Sequence, residues 1–128
     1  MTESVSFHSK ELVRHALGQM IKACDMIMTW NSHVRSVDDY VTSSDGMQTM
    51  AASCMLIESI GEGVKKIDKI LPDFLQNNAP DIPWKNIKGL RDHIAHGYFN
   101  LDEEIIYDVS INEIPTMRVV FARLLSVL

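Results

Sequence analysis

Two long stretches of helical periodicity constrain this chain before any motif is considered. Between Ser9 and Thr29, the apolar residues Leu12, Val13, Ala16, Leu17, Met20, Ile21, Cys24, Ile27 and Met28 return at steps of three and four. That spacing winds them into one broad stripe along an α-helix. Ser44 or Asp45, both good N-caps, opens the second stretch. There Met47, Met50, Ala51, Cys54, Met55, Ile57, Ile60, Val64, Ile67 and Leu71 repeat the pattern, and Pro72 marks its end. Helices of this length, each with one apolar face, cover those faces against other helices, so the expected fold class is an all-α bundle.

The remaining segments fit that frame. Asn31, Ser32 and His33 close the first helix, and Ser36 with Asp39 three positions on suggests a short capped turn. Leu71 to Pro83, with Asn77, Asn78 and three prolines, reads as the main connection, ordered more than flexible. Pro83 suits the first turn of a third helix carrying Trp84, Ile87, Leu90 and Ile94, which frays near Tyr98 to Asn100. Asp102 can cap a short helix through Tyr107, Asp108 and Val109. Asn112 or Pro115 begins a last, short C-terminal helix with Met117, Val119, Val120, Phe121, Leu124 and Leu125 apolar. A length of 128 residues without internal repeats suits one domain, 1–128.

Charge and composition narrow the function classes. No apolar run approaches the roughly 20 residues that cross a bilayer, and the start, Met1 to His8, lacks a basic segment followed by an apolar one. Cys24 and Cys54 stand apart among helix formers, as reduced, buried thiols do. A cytoplasmic protein is expected. The net charge of −5 makes the chain a poor nonspecific binder of nucleic acid, because that affinity comes largely from Lys and Arg neutralising phosphates. Action on a phosphodiester then needs a local basic patch, or a dimer built around one. The eight methionines fit either core filling by an adaptable side chain or a Met-rich contact surface.

Chemistry concentrates in one stretch. Arg91, Asp92, His93, His96 and Tyr98 fall within eight positions of the predicted third helix. At about 100° per residue, Asp92 and His96 lie about 40° apart, and Tyr98 comes almost over Arg91. An Arg fork suits a phosphate. A His exchanges protons near neutrality, and a carboxylate one turn away can hold its tautomer. Together they suit cleavage of RNA by its own 2′-hydroxyl, with His96 as acid and base and Arg91 against the phosphoryl oxygens, a reaction that needs no metal. Spacing alone does not separate such a site from an ordinary solvated helix face.

The run Ile82-Pro83-Trp84-Lys85-Asn86-Ile87-Lys88-Gly89-Leu90-Arg91-Asp92-His93-Ile94-Ala95-His96-Gly97-Tyr98-Phe99 resembles the HepT-like branch of the HEPN superfamily. Ile60-Gly61-Glu62-Gly63-Val64-Lys65-Lys66 is similar to that branch's Ile-Gly-Glu-Ala helix, and Asp102 to Tyr107 with Ile114-Pro115 look like its tail. The resemblance implies an up-and-down HEPN bundle that dimerises, bringing two Arg-x4-His motifs to one cleft. It also implies a metal-independent endoribonuclease toxin without a cofactor. The partner would be a small MNT-type nucleotidyltransferase antitoxin, which silences the toxin by attaching AMP to the motif tyrosine. Carried over, Arg91 and His96 are the catalytic pair, Tyr98 the modified residue and Glu62 a supporting group facing the motif helix. Asp92 stands where the family often has Asn, and a carboxylate there repels a phosphate unless it is paired with His96 or Arg91.

Other candidates carry less. His93 points away from the catalytic side and reads as structural or interfacial. His8, His15 and His33 have no ligand-like spacing, and no zinc pattern occurs. Glu58 and Glu62 form either an acid/base or metal pair or a solvated stripe supporting Lys65, Lys66 and Lys69. Those lysines, with Lys85 and Lys88, are either the basic patch or plain surface. Tyr98 is a core aromatic, an RNA-stacking group or an AMP acceptor, and Gly97 beside it favours an exposed hydroxyl. The alternative to the ribonuclease is a non-catalytic helical module that docks onto a nucleotidyltransferase and holds its nucleotide.

Overall fold

The Ser6 hydroxyl accepts the Ser9 N–H at 3.0 Å and caps the first helix, α1, Phe7–Trp30. The computed structural model describes residues 6–128, and at Tyr98 the backbone without the side chain. Residues 1–5, where the reading of the chain's start begins, lie outside it. After α1 come α2 (Asp38–Val41), α3 (Ser44–Ile70), α4 (Phe74–Asn78) and α5 (Trp84–Ala95). A 3-10 turn, Tyr98–Asn100, leads to α6 (Glu103–Asp108), which passes through a π turn, Val109–Glu113, into α7 (Ile114–Ser126). No strand occurs among the described residues, and the fold is an all-α bundle. Among them, too, no helix is long and apolar enough to cross a membrane.

The two predicted stripes make the core. α1 packs along α3 and α7, and α5 lies on the other flank of α3. Leu17 and Ile27 of α1, Ile60 and Ile67 of α3, and Phe121 and Leu124 of α7 are fully buried. Each such side chain contributes about 1.5–3 kcal/mol by leaving water. Trp84, at the start of α5, stacks on Phe121 with centroids 6.2 Å apart, and its indole N–H donates to the Ala79 carbonyl at 2.9 Å. The methionines divide. Met20, Met50 and Met117 fill the core, whereas Met28, Met47 and Met55 are exposed.

A buried polar knot ties the ends of α1, α2 and α3 together. The Asn31 amide donates to the Ile27 carbonyl and to the Ser53 hydroxyl, both at 2.8 Å. The Tyr40 hydroxyl donates to Asn31 Oδ1 at 2.5 Å. Cys24 and Cys54 are buried and unpaired, and burial pushes their thiols up to about 12 and about 11. Both stay protonated at neutral pH, so neither is a nucleophile.

Three local expectations need correction. α3 starts at Ser44 as expected, but its cap is the residue before, Ser43, because that hydroxyl is the one that accepts the Gly46 N–H, at 3.0 Å. The connection from Leu71 to Pro83 contains α4, five residues long and too short to show a period. The third correction concerns α5, which stops at Ala95.

Candidate active site

α5 ends where the motif begins to matter. His96 is its C-cap, and Gly97 follows at φ +133°, a backbone conformation that side chains other than glycine's rarely adopt. The chain therefore turns out of the helix between His96 and Tyr98. The expected continuous polar face holding Arg91, His96 and Tyr98 on one helix does not form. Arg91 and Asp92 lie in the helix, His96 at its end and Tyr98 in the next turn. The roles assigned to the Tyr98 side chain lie outside the described residues.

Arg91 sits against α3. Its Nε pairs with Glu62, and its Nη1 donates to Asp92 Oδ1 at 3.3 Å. Its side chain is only 27% exposed, so the stem is packed while the fork reaches the surface. Gly61 makes that seat. A Cβ there would stand 2.3 Å from Arg91 Cβ and 2.8 Å from its Cγ, a collision that forces Arg91 and α5 to shift against α3.

The Asp92 carboxylate does not hold the imidazole of His96, as i,i+4 spacing had suggested. It accepts from Lys65 Nζ at 2.7 Å and from Arg91. The Lys65 ammonium, followed by Arg91, holds it below the usual carboxylate range. The backbone carbonyl of Asp92 takes over the tautomer role, lying 2.7 Å from His96 Nδ1. A carbonyl only accepts, so Nδ1 carries the proton, and the neutral ring keeps its lone pair on Nε2. His93 is exposed, and its carbonyl accepts the His96 N–H at 3.2 Å.

The lysines separate into two groups. Lys65 is bound to Asp92, and Lys88 donates to Asp68 at 2.8 Å. Lys66 and Lys69 line an open groove beside the motif. Among the described residues, no group of three or more His, Cys, Asp or Glu is arranged to hold a metal ion. Residue-by-residue reading missed Gly61 as Arg91's seat and Lys65 as Asp92's partner. It also passed over Phe99, which the 3-10 turn holds 95% exposed beside the motif. A glycine facing the motif helix was the one available signal for the first. Contacts across 27 or 30 positions leave no local trace.

An all-helical bundle with an Arg-x4-His run at the end of one helix defines a HEPN-type protein. The family described as "Ribonuclease HepT-like" matches residues 12–124, and the chain belongs to that family. It is 41% identical over 68 residues to "Putative RNase MJ0127" of Methanocaldococcus jannaschii, 53% of each chain. It is 32% identical over 105 residues to "Putative RNase TTE0752" of Caldanaerobacter subterraneus subsp. tengcongensis, covering 82% of this chain and 87% of that one. To "Probable ribonuclease HepT" of Thermococcus cleftensis it is 30% identical over 77 residues, 60% of this chain and 66% of that one. The chain spans about half the length of the first three curated relatives it matches, 53%, 57% and 54%. No solved structure matches it.

Proposed function

We propose that this chain, acting as one HEPN-type domain over residues 1–128, is a metal-independent endoribonuclease. The support that carries most weight is the contact of His96 Nδ1 with the Asp92 carbonyl. It leaves Nε2 as the free base of an exposed imidazole at the helix end, five positions beyond Arg91. His96 removes the 2′-hydroxyl proton, the 2′-oxygen attacks the adjacent phosphorus and the bond to the 5′-oxygen breaks. A protonated imidazole then gives that oxygen its proton. Arg91 leaves Glu62 and Asp92 to meet the phosphoryl oxygens, where charge builds. In a homodimer, two motifs at one cleft supply the base and the acid.

The family and the printed names of the relatives support the same chemistry. On this reading the protein is the toxin of a toxin–antitoxin pair in the cytoplasm. An MNT-type nucleotidyltransferase silences it by covering the cleft or attaching AMP to Tyr98. The test uses purified protein, labelled single-stranded RNA and excess chelator. Wild type cuts the RNA, and Arg91→Ala and His96→Ala each slow cleavage by about 100-fold or more while melting like wild type. Equal cleavage by all three proteins, or none by any, would refute the proposal.

One observation favours the second reading, a non-catalytic module docked on a nucleotidyltransferase. Arg91 already faces two carboxylates, Glu62 and Asp92, and the chain carries −5 overall. In that case the partner binds tightly, and Arg91→Ala weakens the complex with RNA left uncut throughout.

A further inference from the structure

A groove of about 470 Å³ runs between α1 and α3 alongside the motif. Ala16 and Gln19 form its α1 wall, and Ser59, Gly63, Lys66 and Lys69 much of its α3 wall. Glu62 and Lys65 complete the lining, and these two residues also contact Arg91 and Asp92. The groove is therefore continuous with the ionic cluster at the motif.

Its charge is unusual for this chain. The molecule carries −5, yet three lysines within five positions line one groove. Among the described residues, Lys66 and Lys69 make no ion pair, whereas Lys65, Lys88 and Arg118 each do. Both are exposed and lie three positions apart on one helix, so their ammonium groups fall along one side of the groove. An unpaired row of this kind fits a ligand with repeated negative charges. The walls offer small or polar side chains and no large apolar anchor, which suits a sugar–phosphate backbone better than a folded protein surface.

We propose that this groove carries the backbone of single-stranded RNA flanking the scissile phosphate, with Lys66 and Lys69 as its phosphate contacts. The inference rests on the ribonuclease reading for its choice of polyanion. Its geometry also assigns Lys65 a shared position, at the groove's end and on Asp92. A phosphate arriving there can take Lys65 from the carboxylate.

The test compares the full chain with Lys66→Ala/Lys69→Ala, and with Arg35→Ala/Arg123→Ala as a control that removes equal charge elsewhere. Binding of a labelled single-stranded RNA 20-mer is read by anisotropy across salt concentrations, in a His96→Ala background. Cleavage of the 20-mer and of a dinucleotide is read with His96 intact. The lysine variant should lose roughly tenfold in affinity, and its salt dependence should flatten by about 1.4 in log–log slope, about 0.7 per lost contact. Dinucleotide cleavage should match wild type, and the control should match it in every assay. Equal loss in both double variants, or none in the lysine variant, overturns the groove. RNA that binds through these lysines and is never cut upholds the groove and removes the ribonuclease reading. Cleavage of the 20-mer indifferent to Lys66 and Lys69 does the reverse, and RNA neither bound nor cut removes both.

Discussion

Two polar clusters sit on the same helix, α3, and they are built on opposite plans. Toward its N-terminal half, Ser53 joins Asn31 and Tyr40 in a knot closed to water, where the Asn31 amide and the Tyr40 hydroxyl each have a fixed partner on a neighbouring helix. Toward its C-terminal half, Glu62 and Lys65 meet Arg91 and Asp92 at the surface, with the carboxylates about half exposed. In the first, losing one partner strands another in the interior, so the cluster holds the bundle together. In the second, water or a phosphate can replace the partly exposed Lys65–Asp92 contact at small cost, while Arg91 Nε stays buried against Glu62. Buried polarity here is architecture, and the exposed, exchangeable cluster is the proposed site.

Substitutions can break or sharpen that contrast. Gly61→Ala should have the largest effect, lowering RNA cleavage by about 100-fold, because an ångström of displacement in a positioned group costs that much. Overpacking there should cost only about 1–3 kcal/mol, so the protein stays folded in a thermal melt. Full activity in this variant would show that Arg91's seat is immaterial. Asn31→Ala should do the converse. Removing the Tyr40 hydroxyl's acceptor, while Ser53 keeps the Thr49 carbonyl, should destabilise the fold by about 1–3 kcal/mol in urea unfolding, with cleavage per folded molecule unchanged. A loss of rate without a shift in midpoint would erase the distinction between the clusters.

Asp92→Asn should be milder still. It keeps the backbone carbonyl that holds His96, removes a charge beside the phosphate and weakens the hold on Lys65. RNA should bind a few-fold more tightly, as anisotropy would measure, with the unfolding midpoint at neutral pH lowered only slightly. The smallest effect concerns pH. Lys65 and Arg91 hold Asp92 below its ordinary value of 3.8, and Arg118 does the same for Asp25. A depressed folded-state pKa contributes stability above the unfolded value and loses it as pH falls through the folded one. Unfolding midpoints should therefore carry the small contribution of these pairs unchanged with pH near neutrality, and should lose it on acidification below about 4. Arg118→Ala should shallow that acid limb slightly.

The core was legible because its signal is periodic. Val13, Leu17, Ile27, Ile60 and Ile67 announce their burial by spacing alone, and Asp102 caps α6 as its type predicts, accepting the Glu104 N–H at 2.9 Å. The site was legible only in its composition. Reading Asp92 and His96 as an i,i+4 pair assumed that the helix continued, whereas it stops at Ala95 and Gly97 turns the chain out. The partners that define the site, Glu62 for Arg91 and Lys65 for Asp92, lie a whole helix away. Family resemblance supplied Glu62, and nothing in the local sequence supplied Lys65.

The most direct test of the central claim is the chemistry of the cut ends. Fragments of a defined single-stranded RNA would be analysed by mass spectrometry, together with a substrate carrying one 2′-deoxy residue at the mapped cleavage position. Attack by the 2′-oxygen under His96 control predicts 2′,3′-cyclic phosphate and 5′-hydroxyl ends, and no cleavage at the deoxy position. Fragments with 5′-phosphate ends, or undiminished cutting at that position, would contradict it.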